Sequence, residues 1–213
     1  MRVLSIILCL FVTILFGCTK VAPDRWYWND LNLKGEVQRI ETSVIRNDST
    51  IISFTEMYSN DYLIIASIYN DHRILYHYEN SLIKKQFHIY EAKSDTVYIT
   101  ELNAKEQPLN CYQKDYYGTP YYIEYDYLPN FTRTTFFNDD KKEKAKAYLE
   151  EFYDPKGFLK KSKHYVDNTL MDTNYYNTYV FDSKGNWISR RISQTILDLE
   201  PSQLIEVRKI TYF

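Results

Sequence analysis

Glycine, cysteine, histidine and net charge are all in short supply. Five glycines in 213 residues form no phosphate-binding loop, and neither a Gly-x-Ser-x-Gly elbow nor a His-Glu-x-x-His motif occurs. The four histidines, His72, His77, His88 and His164, sit in no nucleophile motif. His72 and His77 are five residues apart, a spacing that turns them to opposite faces of a strand and makes them poor joint ligands for a metal. Adjacent acids such as Asp139-Asp140 and Glu150-Glu151 also point to opposite faces of a strand, so no glycosidase pair stands out. The formal charge is −2, from 26 basic and 28 acidic residues. That balance is too small and too mixed to imply nucleic acid as a partner. The expectation is a non-enzyme with no catalytic residue, no cofactor and no metal.

Long apolar runs are missing beyond residue 16. Val3 to Phe16 is apolar apart from Ser5 and Thr13, and it follows Arg2. This run is shorter than the ~20 residues that a membrane-spanning helix needs, and it stands where a signal peptide belongs. Leu15-Phe16-Gly17-Cys18 comes next. That order resembles a bacterial lipobox, in which a lipid is attached to the cysteine and the chain is cut before it. Phe16 is bulkier than the small residue usual at its place. The resemblance implies a signal peptide over residues 1–17, lipidation at Cys18 and a lipid-anchored tether over 18–30, followed by a domain over 31–213. No Asp and no acidic run follow Cys18. In an envelope with two membranes this implies a chain held by its lipid on the outer membrane and facing the periplasm.

Removing 17 of the 213 residues leaves 196, and with Arg2 gone 25 basic residues face 28 acidic ones, a balance of −3. A chain of that size buries about 70 % of its unfolded surface, enough for one domain. Cys9 leaves with the leader and Cys18 carries the lipid. Cys111 is then left without a disulfide partner and reads as a small buried apolar side chain.

Tyrosine and phenylalanine are plentiful, 22 and 11, and Val, Ile and Thr are common. Such residues suit a pleated, half-buried surface. Turn pairs cut the chain at short intervals: Asn47-Asp48, Asn60-Asp61, Asn70-Asp71, Asn80-Ser81, Ser94-Asp95 and Asp167-Asn168. Asn and Asp tolerate the left-handed backbone. The pattern predicts an all-β protein of about a dozen antiparallel strands. One segment competes: Asn138 to Tyr153 is helical by propensity. Strand is preferred there, because Ala145, Ala147 and Leu149 then share one face on the way into a turn.

That turn belongs to a pattern. Phe152 to Lys161 reads FYDPKGFLKK and Val180 to Ser189 reads VFDSKGNWIS. Asp154 and Asp182 are 28 apart, and 28 further back stands Asp126, in a copy that lacks the glycine and has Leu128-Pro129-Asn130 at the turn. Tyr125, Tyr153 and Phe181 precede the three. Lys156-Gly157 matches Lys184-Gly185, and Asp-x-Lys-Gly has the chemistry of a type I turn closed by a left-handed glycine. Ser59 to Leu63, after Tyr58, and Glu79 to Ile83, after Tyr78, are looser forms. These stretches resemble the Tyr-Asp repeats of Rhs-type proteins, and more closely the degenerate repeats of lipoproteins from Bacteroides-like bacteria. Leu33 to Glu41 is similar to the opening strand of such lipoproteins and Val207 to Phe213 to their closing strand. The resemblance implies a long twisted antiparallel sheet of consecutive β-hairpins, in which neighbours stack to bury what one repeat cannot.

Aromatic residues supply the candidate binding surface. Cys111 to Leu128 holds seven tyrosines, among them Tyr116 and Tyr117. Tyr121, Tyr125 and Tyr127 share one strand parity, as do Tyr175, Tyr179 and Phe181. Trp187, just past a turn, takes the parity opposite to Ile188, Ile192 and Ile196, which places it on the wetter face near Tyr179. Trp187, Tyr179, Tyr121, Tyr125 and Tyr127 are therefore the candidate contacts for a glycan or another envelope protein. The alternative is that cross-strand packing and the next repeat cover these rings. The function expected is a non-enzymatic envelope lipoprotein that binds or scaffolds. An immunity protein against a toxin and a glycan-acting enzyme are the other two readings. Oligomeric state is open.

Overall fold

The computed structural model describes residues 33–213, apart from 91–93, 115–119 and 139–141. The leader and the whole of the tether, Cys18 included, lie outside the described residues, as do Tyr116 and Tyr117. Fourteen strands run in order through the described residues: β1 (Val37–Arg46), β2 (Ser49–Tyr58), β3 (Ile64–Tyr69), β4 (His72–Glu79), β5 (Leu82–Tyr90), β6 (Ser94–Leu102), β7 (Pro108–Lys114), β8 (Pro120–Leu128), β9 (Phe131–Phe137), β10 (Ala145–Tyr153), β11 (Leu159–Val166), β12 (Thr169–Phe181), β13 (Trp187–Ile196) and β14 (Ser202–Tyr212). The hairpin meander is as the sequence predicts, and the segment entering the Asp154 turn is strand.

The meander's two edges meet. β14 pairs antiparallel with β1, Ile40 opposite Ile210 and Thr42 opposite Arg208. The sheet is thereby a closed barrel. Closure removes the unpaired edges that an open sheet would present to other chains.

Six hairpin turns fall at one end of the barrel, and four of them share one set of bonds. In the turn at Asp154, Oδ1 accepts from the amides of Lys156 and Phe158, both at 2.9 Å, and the Asp154 carbonyl accepts from Gly157. Asp182 does the same for Lys184, Asn186 and Gly185. Asn103 repeats the bonds with Lys105, Gln107 and Glu106, and Ser59 repeats them with Asp61, Leu63 and Tyr62. The third copy expected at Asp126 does not fold this way. Asp126 caps nothing and lies inside β8 opposite Arg133, while the chain turns at Pro129-Asn130 as the sequence of this copy has it, with Asn130 at φ +59°.

The same end is tied shut. Lys34 donates its amide to Asn186 Oδ1 at 2.6 Å, and Asn186 Nδ2 returns bonds to the Lys34 carbonyl and the Tyr212 hydroxyl, both 2.7 Å. Leu33, Val37, Ile40, Tyr58, Tyr62 and Ile64 pack into a core over it. A second core along the wall joins Ile83, Val97, Ile99, Cys111 and Ile123, and Tyr76 and Tyr78 pack against both.

Register assigns every other residue to the inside. Ile40, Glu56 and Ser67 are successive partners across β1, β2 and β3, and Ser67 continues to Ile74 and His88. Interior groups on distant strands affect one another: Tyr76 of β4 bears on Tyr125 of β8, and Arg190 of β13 on Glu151 of β10.

Candidate functional site

The interior carries the chemistry. Arg190 lies on β13 opposite Glu206 of β14 and binds its Oε2 through Nε and Nη2, each at 2.6 Å. Its Nη1 reaches the Tyr179 hydroxyl at 3.3 Å, and that hydroxyl donates to the Leu159 carbonyl. Two guanidinium groups lie over the Trp187 ring, Arg208 at 3.5 Å from its centroid and Arg190 at 4.4 Å. Arg190 also sits 4.4 Å over Tyr176, which shares a 3.2 Å bond with Ser162. Across β1, Glu56 accepts from the Tyr58 hydroxyl at 3.3 Å. Burial pushes the Glu56 carboxyl above its ordinary range, against the pull of Arg208 and of that hydroxyl. Burial also pulls the Arg208 guanidinium down to about 10, although Glu206 and Glu56 oppose it.

The predicted tyrosines are on this inner wall by register. Tyr121 pairs with Gln113 and shares its face with the buried Ile123. Tyr125 stands beside Cys111, where burial pushes the thiol up to about 12. Cys111 is thus the small buried side chain that its isolation predicts, with no thiolate for chemistry near neutrality. Tyr125 and Tyr127 stack at 6.3 Å. Tyr127 lines a cleft of about 450 Å³ at the turn end with Lys105, Gln107, Phe131 and Tyr153. Tyr179 stands on the opposite wall, edge-on to Trp187.

Trp187 is not on a wet outer surface; it is buried, 5 % exposed. The parity that placed it outside fails at a β-bulge. Phe181 pairs with Trp187 but Val180 pairs with Ser189, so one extra residue, Ile188, enters β13. A single extra residue turns everything before it to the other face. Trp187 therefore shares the interior with Arg190 and Ile192.

Sequence reasoning missed Glu56, Arg190, Glu206 and Arg208. They alternate with outward residues as any charged strand residues do, and no local signal told the two faces apart. Among the described residues no group of three His, Cys, Asp or Glu is placed to hold a metal.

The outer wall is charged at mid-strand. Arg133 pairs with Glu150 at 2.5 Å, Arg39 with Glu41 at 3.2 Å, and Lys142, from the β9–β10 connection, with Glu124 of β8 at 2.6 Å. Cross-strand rings fill the spaces between, such as Tyr148 stacked on Tyr165 at 4.3 Å and Tyr112 on Tyr122 at 5.2 Å. A barrel embedded in lipid needs an apolar outer band about 25 Å tall, and charge at its middle is destabilising. The Arg133–Glu150 pair weighs against such a band, while the outward Ile68, Leu75 and Ile205 are exposed beside the charges.

The fold has a solved counterpart. A porin-like protein from Bacteroides uniformis matches with a TM-score of 0.57 at 13 % identity, over 84 % of this chain and 99 % of the other. A porin-like protein from Bacteroides vulgatus, 12 % identical, aligns over 85 % and 99 % with a TM-score of 0.41. No protein-family model and no curated protein matches the sequence. The likeness is one of fold.

Proposed function

We propose that the chain is a cell-envelope lipoprotein, held to the outer membrane by a lipid on Cys18, whose barrel is a non-enzymatic binding module that receives its ligand on the inner wall. The observation that carries this is the barrel's polarity. Charge lies outside at mid-strand, and the aromatic wall with its Arg and Glu groups lies inside. That is the arrangement of a container standing in water, and smaller barrels of this polarity hold one ligand. The end opposite the tied turns is the more accessible one, since Ile52, inward-facing near it, is 48 % exposed.

Two measurements test this. Cys18→Ala leaves an uncleaved precursor, whereas an unmodified Cys18 in the mature protein, seen by mass spectrometry, ends the lipid reading. For the interior, the full chain is titrated with the neutral fluorophore N-phenyl-1-naphthylamine. Saturable binding is expected to be abolished by Ile74→Arg on the inner face and kept by Leu75→Arg on the outer face. Equal effects of the two folded variants count against an internal site.

A further inference from the structure

We infer that Arg208, with Thr42 beside it and Trp187 beneath it, forms an oxyanion-binding site inside the barrel, for a carboxylate or phosphate group; this rests on the reading of the interior as the binding surface. The motive is an imbalance between two arginines that lie over the same ring. Arg190 is satisfied by Glu206 and Tyr179. Arg208 is not: its Nε and Nη1 are buried with no hydrogen-bond partner in the protein. Thr42, its register partner on β1, is fully buried, and its Oγ1 also lacks a partner. Arg46 Nε, on the same strand as Thr42, is a further buried donor without one.

Buried polar groups are nearly always paired, and a cluster that is not calls for an explanation. The unpaired atoms here are mostly donors on a cation, which is the complement of an oxyanion. Trp187 holds the guanidinium plane from one side at 3.5 Å, and the edge that carries Nε and Nη1 is shut off from bulk water. The counter-charge within the protein is incomplete. Glu206 is bound by Arg190, and Glu56 is engaged by Tyr58. Burial outweighs both carboxylates at Arg208. A guanidinium does not give up its proton near neutrality, so the deficit is met by a further anion.

The test is calorimetric titration of the full chain in a neutral maltoside detergent with inorganic phosphate, hexyl phosphate and hexyltrimethylammonium. Both phosphates, or hexyl phosphate alone, are expected to bind saturably, and the ammonium is not. Equal affinity for the two phosphates assigns the site to a free oxyanion; tighter hexyl phosphate assigns it to the headgroup of an amphiphile. Arg208→Gln is expected to weaken binding about tenfold or more, the loss of charge-assisted hydrogen bonds. Glu56→Gln removes a competing carboxylate and is expected to tighten it several-fold, roughly the effect of one nearby charge. If Arg208→Gln does not fold, the Glu56→Gln result decides. Absence of phosphate binding overturns the inference, as does binding indifferent to both substitutions. If phenylnaphthylamine still enters while no phosphate binds, this inference falls and the internal-site reading stands. If neither probe binds, both fall.

Discussion

The four turns that share one set of bonds each need a left-handed residue at one position, and the chain fills it with glycine, tyrosine or glutamate. Gly157 and Gly185 have φ of +82° and +85°, while Tyr62 and Glu106 adopt +60° and +62°. Glycine enters that region without steric cost; a side chain does so at roughly 1 kcal/mol. Tyr62 offsets the strain by burying its ring in the core over the tied end. Nothing lies within 4 Å of a Cβ built on Gly157, so a substitution there tests backbone strain alone. Gly157→Val and Gly185→Val are each expected to destabilise by more than ~1 kcal/mol in denaturant melts. Glu106→Gly is expected to move stability the other way or leave it level. A third residue-scale expectation concerns Asp182. Burial raises its carboxyl, but the Tyr212 hydroxyl and the amides of Asn186, Lys184 and Gly185 outweigh that and hold it below its ordinary 3.8. A depressed carboxyl adds stability that is present above its unfolded pKa and is lost as pH falls through the folded one. Asn fills the same turn role at position 103, so Asp182→Asn keeps the turn and removes the charge. The stability gap between wild type and Asp182→Asn is therefore expected to be widest above about pH 5 and to narrow as pH falls below the carboxyl's ordinary 3.8. A gap independent of pH would mean that the charge contributes nothing.

At the scale of elements, the bulge in β13 decides what the Asp182 hairpin does. Without it Trp187 faces water; with it Trp187 lies under Arg190 and Arg208 beside Tyr179. Trp187→Ala is expected to cost ~3 kcal/mol or more, the range for a large buried aromatic. A near-native melting curve would return Trp187 to the surface. The tied end has its own test. Asn186 is 1 % exposed and is the main link between Lys34 and the β12–β13 turn, through both Oδ1 and Nδ2. Asn186→Ala leaves the Lys34 amide and carbonyl without those partners, at about 1–3 kcal/mol for each buried unpaired group. Bulges and straps of this kind were illegible in the sequence. VFDSKGNWIS announces its turn through Asp182, Lys184 and Gly185, but nothing in it says that Ile188 is left out of the ladder.

Over the whole molecule, one period-2 pattern gives the wall two faces, and closure decides which one meets water. Charged mid-strand pairs outside, Arg133–Glu150 among them, predict that the chain with residues 1–18 deleted partitions into the aqueous phase when a detergent solution is warmed through its cloud point. Partition with the detergent would mean that the outer wall is a lipid face. The sequence by itself determined the strands and most of the turns. Both rest on contacts within a few residues: side-chain alternation, β-branched and aromatic preference, and Asx bonds to the next amides. It was also enough to read Cys111 as a small buried side chain. Only the tertiary structure decided that β14 meets β1, that Trp187 is inside, that Asn103 caps a turn while Asp126 does not, and that Arg208 lies buried with two nitrogens unpaired. The physical reason is distance along the chain. Thr42 and Arg208 are 166 positions apart, the difference of their numbers, and share a face only because twist accumulated over fourteen strands brings the last back to the first.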